Sequence, residues 1–118
     1  MPKRSLETLS EPMFYMLMAL RRRTLCGVEI VHWIGETTEG RITLGPGTLY
    51  TILSKLTDEQ VAIYQSQVDE CYQEFVNIVV EGRKRTYELT EAGRKLYDAE
   101  CDRLRRCIRD ADREEENV

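Results

Sequence analysis

Two groups of cationic side chains in this sequence have the chemistry to bind phosphate. Residues 21–23 are three consecutive arginines, and Arg83, Lys84 and Arg85 form a second cluster directly after Gly82. Local clusters of cations, more than the net charge of the chain, determine where a nucleic-acid backbone can bind. The first cluster ends a predicted helix, where the helix dipole favours positive charge. We therefore interpret residues 83–85 as phosphate contacts and residues 21–23 as a helix-terminal cluster.

A helix predicted from Gly45 to about Glu59 carries a second candidate surface. Pro46 suits its first turn, and apolar residues then recur at the helical period. These are Leu49, Ile52, Leu53 and Leu56. The opposite face presents Thr48, Thr51, Ser54, Lys55 and Asp58, and Tyr50 lies off the apolar stripe. Hydroxyls, a lysine and a helix N-terminus can bind phosphate, although periodicity alone favours a solvated face.

The order of the elements indicates how these groups are positioned. A helix from Glu11 to Arg22, capped by Ser10, is followed by a short connection at residues 25–27 and a second helix from Gly27 to Glu36. Residues 41–44 could form a short strand before the third helix. A β-hairpin around Gly82 and a long helix follow. The sequence predicts an α+β, mainly α, winged helix-turn-helix fold with a long C-terminal dimerisation helix. In such folds the third helix enters the DNA major groove, and the wing reaches the flanking backbone or the minor groove.

The last helix has an apolar seam with little left to pack against in so small a domain. Thr90 is its predicted cap, and the seam steps by four and three residues in turn. The seam consists of Tyr97, Cys101, Leu104, Ile108 and Ala111. We expect dimerisation through residues 91–112, with packing onto the first helix as the alternative. The predicted organisation is a DNA-binding domain over residues 1–89, then the dimerisation helix and a frayed tail over residues 90–118.

Composition excludes several other classes of protein. The 118 residues suit one domain, and the net charge of −4 argues only weakly against nucleic acid because most of the excess acidity lies after residue 95. The apolar run from Met13 to Leu20 is too short to span a membrane, and the arginines after it do not resemble a signal-peptide cleavage site. Four cysteines without C-x-x-C spacing and one histidine predict free thiols, no metal site and no cofactor. No nucleophile–base pair suggests an enzyme.

Three segments together resemble the PadR family of bacterial transcription regulators. They are Leu25-Cys26-Gly27-Val28-Glu29-Ile30, Leu44-Gly45-Pro46-Gly47-Thr48-Leu49-Tyr50, and residues 81–93 with Tyr87-Glu88-Leu89-Thr90. The match covers roughly residues 6–111. The resemblance implies a cytoplasmic, homodimeric repressor of palindromic operators that responds to phenolic or planar aromatic molecules. It also implies that Pro46, Gly47, Thr48 and Tyr50 open the recognition helix and that Arg83, Lys84 and Arg85 form the basic wing.

Two positions depart from the family pattern. Gln60 stands where the family often has a glycine, which leaves the end of the third helix open. The stretch from Val61 to Tyr87 is longer than usual, with Gln65 to Glu74 as the excess, and a longer wing could contact DNA, the other subunit or a ligand.

Three roles stay open at this point. Phe14, Tyr15 and Tyr97 could line a ligand pocket or belong to the core. Cys101 and Cys107 on the last helix could form a redox switch. A winged-helix module that binds protein and not DNA is the alternative function, favoured by the net acidity and by the glutamates beside the wing.

Overall fold

The computed structural model describes residues 9–57 and 75–116. Predictions that concern Asp58, Glu59, Gln60, the strand-like residues 61–65 and the stretch Gln65–Glu74 lie outside these ranges. The described elements are α1 (Glu11–Leu20), β1 (Leu25–Cys26), α2 (Gly27–Thr37), α3 (Pro46–Leu56), β2 (Val76–Glu81), β3 (Lys84–Leu89) and α4 (Glu91–Glu116). The strands form an antiparallel sheet in the order β1-β3-β2. This is the predicted winged helix with a long C-terminal helix.

The core lies between the first three helices and the inner face of the sheet. α1 begins where Ser10 Oγ accepts a hydrogen bond from Met13 N at 3.3 Å, as predicted for its cap. It ends at Leu20, two residues before the predicted end. The fully buried side chains come from all three helices and the sheet, so burial of apolar area fixes α3 against its neighbours. They include Met16, Leu17, Ile30, Ile34, Leu56 and Val76.

The first strand lies in a segment that the sequence pattern predicts to be a connection. Leu25 and Cys26 pair with Tyr87 and Thr86 of β3 and so add an edge to the hairpin. The strand predicted at residues 41–44 is absent from the structure, and that prediction is wrong. There the N–H of Ile42 donates a hydrogen bond to Thr38 Oγ1 at 3.1 Å. This local bond occupies a backbone N–H that would otherwise pair with a neighbouring strand.

The third helix ends at Leu56 and not near Glu59, which corrects the predicted boundary. Thr57 is extended, with φ −102° and ψ 178°, and is buried. The N–H of Phe75 donates to the carbonyl of Leu56 at 2.9 Å, which brings the start of the hairpin to the end of α3. The helix and the wing are therefore held together at this end.

The predicted hairpin and the predicted cap of the last helix are both present. Glu81 pairs with Lys84 across a turn that contains Gly82 at φ 62°, a conformation that favours glycine. Thr90 Oγ1 accepts a hydrogen bond from Gly93 N at 3.0 Å at the start of α4. A Cβ at Gly93 would overlap the carbonyl oxygen of Phe75, so this glycine lets α4 approach the sheet closely.

The last helix is longer than predicted. The sequence predicts fraying from Arg113 onward, whereas the chain remains helical to Glu116. An ion pair between Arg113 and Asp110 at 2.6 Å, one turn apart, favours the helical form there. Within the described residues, no helix is both long and apolar enough to cross a membrane.

Candidate nucleic-acid interface

The two faces of α3 have the environments that the sequence predicts. Its apolar stripe is buried, and most of the predicted DNA-binding residues on the helix are exposed. The exposed residues are Pro46, Gly47, Thr48, Tyr50, Thr51 and Lys55, while Ser54 is half-buried. The sequence of α3 contains no carboxylate, so nothing on the helix itself would repel a phosphate. Among the described residues, no side chain caps its N-terminus at Gly45.

A polar cleft joins α3 to the wing. The cleft has a volume of about 220 Å³, and the helix contributes Tyr50 and Ser54 to it. Arg85 enters from β3, opposite Val80 of β2. Two separate predicted sites, the helix face and the wing cluster, thus form one continuous surface.

The three cations of the wing do not act as a unit. Arg85 lines the cleft, and Lys84, the adjacent residue of β3, points to the other face of the ribbon because strand side chains alternate. Lys84 lies near Glu29 of α2, and its charge helps to lower the pKa of that carboxyl. Arg83 is exposed in the turn. Arg85 is therefore the cation with the most defined position next to α3.

Glu29 is held by the start of its own helix. Its carboxylate accepts a hydrogen bond from Cys26 N at 2.8 Å, and bonding to Cys26 is the main cause that lowers the pKa of Glu29, with Lys84 adding to it. This is a capping box, in which the third residue of a helix satisfies the N–H at the cap. The carboxylate is consequently directed toward β1.

An apolar pocket lies on the other side of Tyr50. It has a volume of about 240 Å³ between the start of α2 and the start of α3. Gly27 closes its base, since a Cβ there would stand 3.1 Å from Leu49 Cδ2. The sequence pattern gives no sign of this pocket, because Val28 at its rim resembles any valine near an amphipathic helix face. Only the approach of the two helices brings Val28, Leu44 and Pro46 together.

The arginines after α1 lie at the end of that helix, as predicted. The guanidinium of Arg21 lies 5.7 Å from the ring centroid of Tyr97, and that of Arg23 lies 5.8 Å from the ring of Trp33. Two of the three side chains thus contact aromatic rings of the same chain.

The three aromatic residues suggested for ligand binding are in contact with one another. Phe14 stacks on Tyr97 with centroids 5.2 Å apart, and it meets Tyr15 edge-on at 5.9 Å. All three are half-buried. Burial raises the pKa of Tyr97, and a hydrogen bond with Cys101 raises it further. The cluster joins α1 to α4 and has cavities beside it, of about 310 Å³ next to Phe14 and Tyr15 and about 460 Å³ next to Tyr97.

The seam of α4 leaves the rest of the molecule as the helix proceeds. Tyr97 and Cys101 are half-buried, whereas Leu104 is 37% exposed and Ile108 is 62% exposed. Ala111 and Cys107 are also exposed.

No set of three metal-ligating side chains that could hold an ion occurs among the described residues.

These features define a winged-helix protein of the transcription-regulator class. A model of the transcriptional regulator PadR-like family matches residues 16–99, and the chain belongs to this family. It is therefore a transcriptional regulator, and membership of the family implies that it binds DNA. No curated protein matches the chain.

Solved structures show the same fold. A transcriptional regulator from Clostridium thermocellum, Cth-833, superimposes with a TM-score of 0.65 at 17% identity, over 86% of this chain and 89% of that one. The complex structure of hsRosR-S1 gives 0.61 at 21% identity, over 94% and 87% of the two chains. A candidate transcriptional regulator from Thermoplasma acidophilum gives 0.58 at 22% identity, over 91% and 90%.

Proposed function

We propose that this protein is a homodimeric, ligand-responsive repressor that binds a palindromic operator. The observation that carries the proposal is the cleft in which Tyr50 and Ser54 of α3 meet Arg85 of the wing. With α3 in the major groove, Arg85 lies where the adjacent phosphate backbone passes. The exposed hydroxyls and Lys55 of α3 then face the groove.

The charge distribution supports this orientation. The chain is acidic overall, so attraction to DNA depends on local groups. α3 has no carboxylate, and the nearby carboxylate of Glu29 is bonded to the start of α2. The face formed by α3 and Arg85 thus combines a cation and hydroxyl groups with a helix that carries no carboxylate.

A second copy of the chain is the partner that suits α4. Leu104 and Ile108 continue the seam that starts at Tyr97, yet they are exposed within one chain. A two-fold dimer buries such a seam against itself and presents two copies of α3 to successive major grooves, about 34 Å apart. The operator is therefore expected to be palindromic.

The aromatic cluster is the proposed site of an effector. Stacked Phe14 and Tyr97 offer flat apolar faces to a phenolic or planar aromatic molecule. Because the cluster connects α1 to α4, a molecule inserted there would change the angle between the DNA-binding elements and the dimer helix. We propose that this change alters the affinity of the dimer for the operator.

A titration of the purified protein onto the intergenic DNA upstream of its own gene tests the proposal. Fluorescence anisotropy at two salt concentrations, with scrambled DNA as control, should show tight, salt-dependent binding to the native sequence. Equal weak binding to both DNAs, or none, would contradict the proposal and favour a protein-binding module.

The double variant Lys84→Ala, Arg85→Ala tests the wing. We expect weaker binding and a salt slope smaller by about one unit for each phosphate that the wing no longer neutralises. Arg22→Ala is a control, since Arg22 is exposed, does not line the cleft and should leave the slope unchanged. An unchanged slope in the double variant would remove the wing from the interface.

A further inference from the structure

The apolar pocket beside α3 is continuous with the proposed DNA-binding face. Tyr50 lines both this pocket and the polar cleft that holds Arg85. The lining of the pocket contains no charged side chain and consists of Gly27, Val28, Val31, Leu44, Pro46, Leu49 and Tyr50. DNA that contacts Tyr50 would therefore lie next to both cavities.

The rim of the pocket is unusually exposed for apolar side chains. Val28 is 79% exposed and Tyr50 is 53% exposed, while Leu49 at the base is buried. Val28 lies in the first turn of α2 and contributes little to packing within the chain. Its exposure together with Pro46 and Tyr50 creates an apolar patch at the start of both helices.

The neighbouring charge does not oppose DNA at this position. Glu29 follows Val28, but its carboxylate bonds to Cys26 N at 2.8 Å and lies near Lys84. The rim thus offers apolar surface next to cationic and hydroxyl groups. In the DNA major groove, the apolar group that could pack against this apolar surface is the 5-methyl of thymine.

We infer that this pocket receives a thymine 5-methyl group of the operator and that Val28 is a specificity-determining residue. The inference rests on the proposed DNA-binding function. The pocket is large enough for the methyl and the adjoining edge of the pyrimidine ring. Val28, Pro46 and Tyr50 would exclude water from the methyl, whereas cytosine at the same position has no 5-methyl group and would leave the apolar pocket unfilled.

Substitution of deoxyuridine for thymidine isolates the methyl group. The upstream intergenic fragment is synthesised with either dTTP or dUTP, and both are titrated with wild type and with Val28→Ala. Wild type should bind the thymine fragment at least about fourfold more tightly, the value for one buried methyl-sized group. Val28→Ala should lose most of this preference. His32→Ala is the control, because His32 is exposed on the same helix and does not line the pocket, so this variant should keep the preference.

The outcomes separate this inference from the function on which it rests. Specific, salt-dependent binding that is equal for the two fragments would overturn the inference and leave the repressor proposal intact. A thymine preference that survives in Val28→Ala would also overturn it, since the methyl groups would then be read elsewhere. No specific binding to either fragment would overturn both. Circular dichroism of Val28→Ala should match that of wild type, because the substituted side chain is exposed.

Discussion

The first and last helices of this protein carry the same kind of apolar stripe in opposite surroundings. In α1 the stripe of Met13, Met16, Leu17 and Leu20 is buried by the rest of the chain. In α4 only Gly93 is buried, and the stripe becomes more exposed toward Ile108. The comparison shows that the stripe of α1 is buried within the chain, whereas the stripe of α4 stays exposed. In the proposed dimer, α1 would contribute to folding and α4 to assembly.

The same substitution at a buried and an exposed isoleucine tests this contrast most strongly. Ile30 is fully buried, and Ile30→Ala should lower the free energy of unfolding by about 2–5 kcal/mol, through the missing transfer energy and a residual cavity. In Ile108→Ala the loss should depend on protein concentration, since Ile108 lies in the proposed dimer interface. Urea denaturation at several concentrations measures both. Equal losses independent of concentration would contradict the comparison.

Gly93→Ala tests the close packing of α4 against the sheet. The added Cβ would overlap the carbonyl oxygen of Phe75 and lie 2.8 Å from Leu89 Cδ1, so α4 must move away from the sheet. We expect a loss of about 3 kcal/mol, at the upper end for overpacking. Gly35→Ala is the control, because nothing lies within 4 Å of its Cβ in α2 and alanine should be neutral or stabilising there. Similar thermal stability of Gly93→Ala and wild type would refute close packing at this joint.

The N-terminal caps of α1 and α4 allow a comparison of smaller effects on stability. Thr90 Oγ1 accepts from Gly93 N at 3.0 Å, and Ser10 Oγ accepts from Met13 N at 3.3 Å. Thr90→Ala should cost about 1 kcal/mol and Ser10→Ala somewhat less, because the longer bond is weaker. Thermal denaturation of the two variants measures which one loses more stability. A larger loss in Ser10→Ala would contradict the ranking.

The pH dependence of Tyr97 gives the smallest expected effect. Burial against Phe14 raises the pKa of Tyr97, so the folded state retains its proton more strongly than the unfolded state. Stability that depends on this group is therefore complete below pH about 10 and falls as the pH rises through the folded-state value. Denaturation midpoints measured from pH 8 to about 11 should fall less steeply in Tyr97→Phe. Identical slopes would show that the ring is solvated in the folded protein.

Strong periodicity and capping chemistry made most of the elements predictable. Ser10 and Thr90 cap helices as expected, and the stripe of α3 is buried as its spacing indicates. β1 was not predictable, since two residues carry no alternation and become a strand only through Tyr87 and Thr86. Residues 41–44 were misassigned because β-prone side chains cannot reveal that Thr38 accepts the local N–H.

The sequence predicted which residue types form the candidate interface, whereas the contacts between its elements became known only from the structure. The sequence indicates a polar helix face and a basic wing, but the cleft requires Arg85 and Lys84 to point in opposite directions. The pocket at Val28 requires Gly27 to let α2 approach Leu49. The opposite orientation of Arg85 and Lys84 follows from strand alternation, but the cleft and the pocket do not, because both depend on the distance between separate elements.

The double variant Leu104→Asp, Ile108→Asp tests the central claim that α4 assembles the DNA-binding form. Two carboxylates in the seam should prevent its burial against a second copy. Arg106→Asp, an equally exposed change off the seam, is the control. Sedimentation and anisotropy with the upstream DNA should show a folded monomer that binds this DNA no better than scrambled DNA, beside a dimeric control and wild type. A variant that still sediments as a dimer, or that binds the upstream DNA as tightly as wild type, would contradict the account.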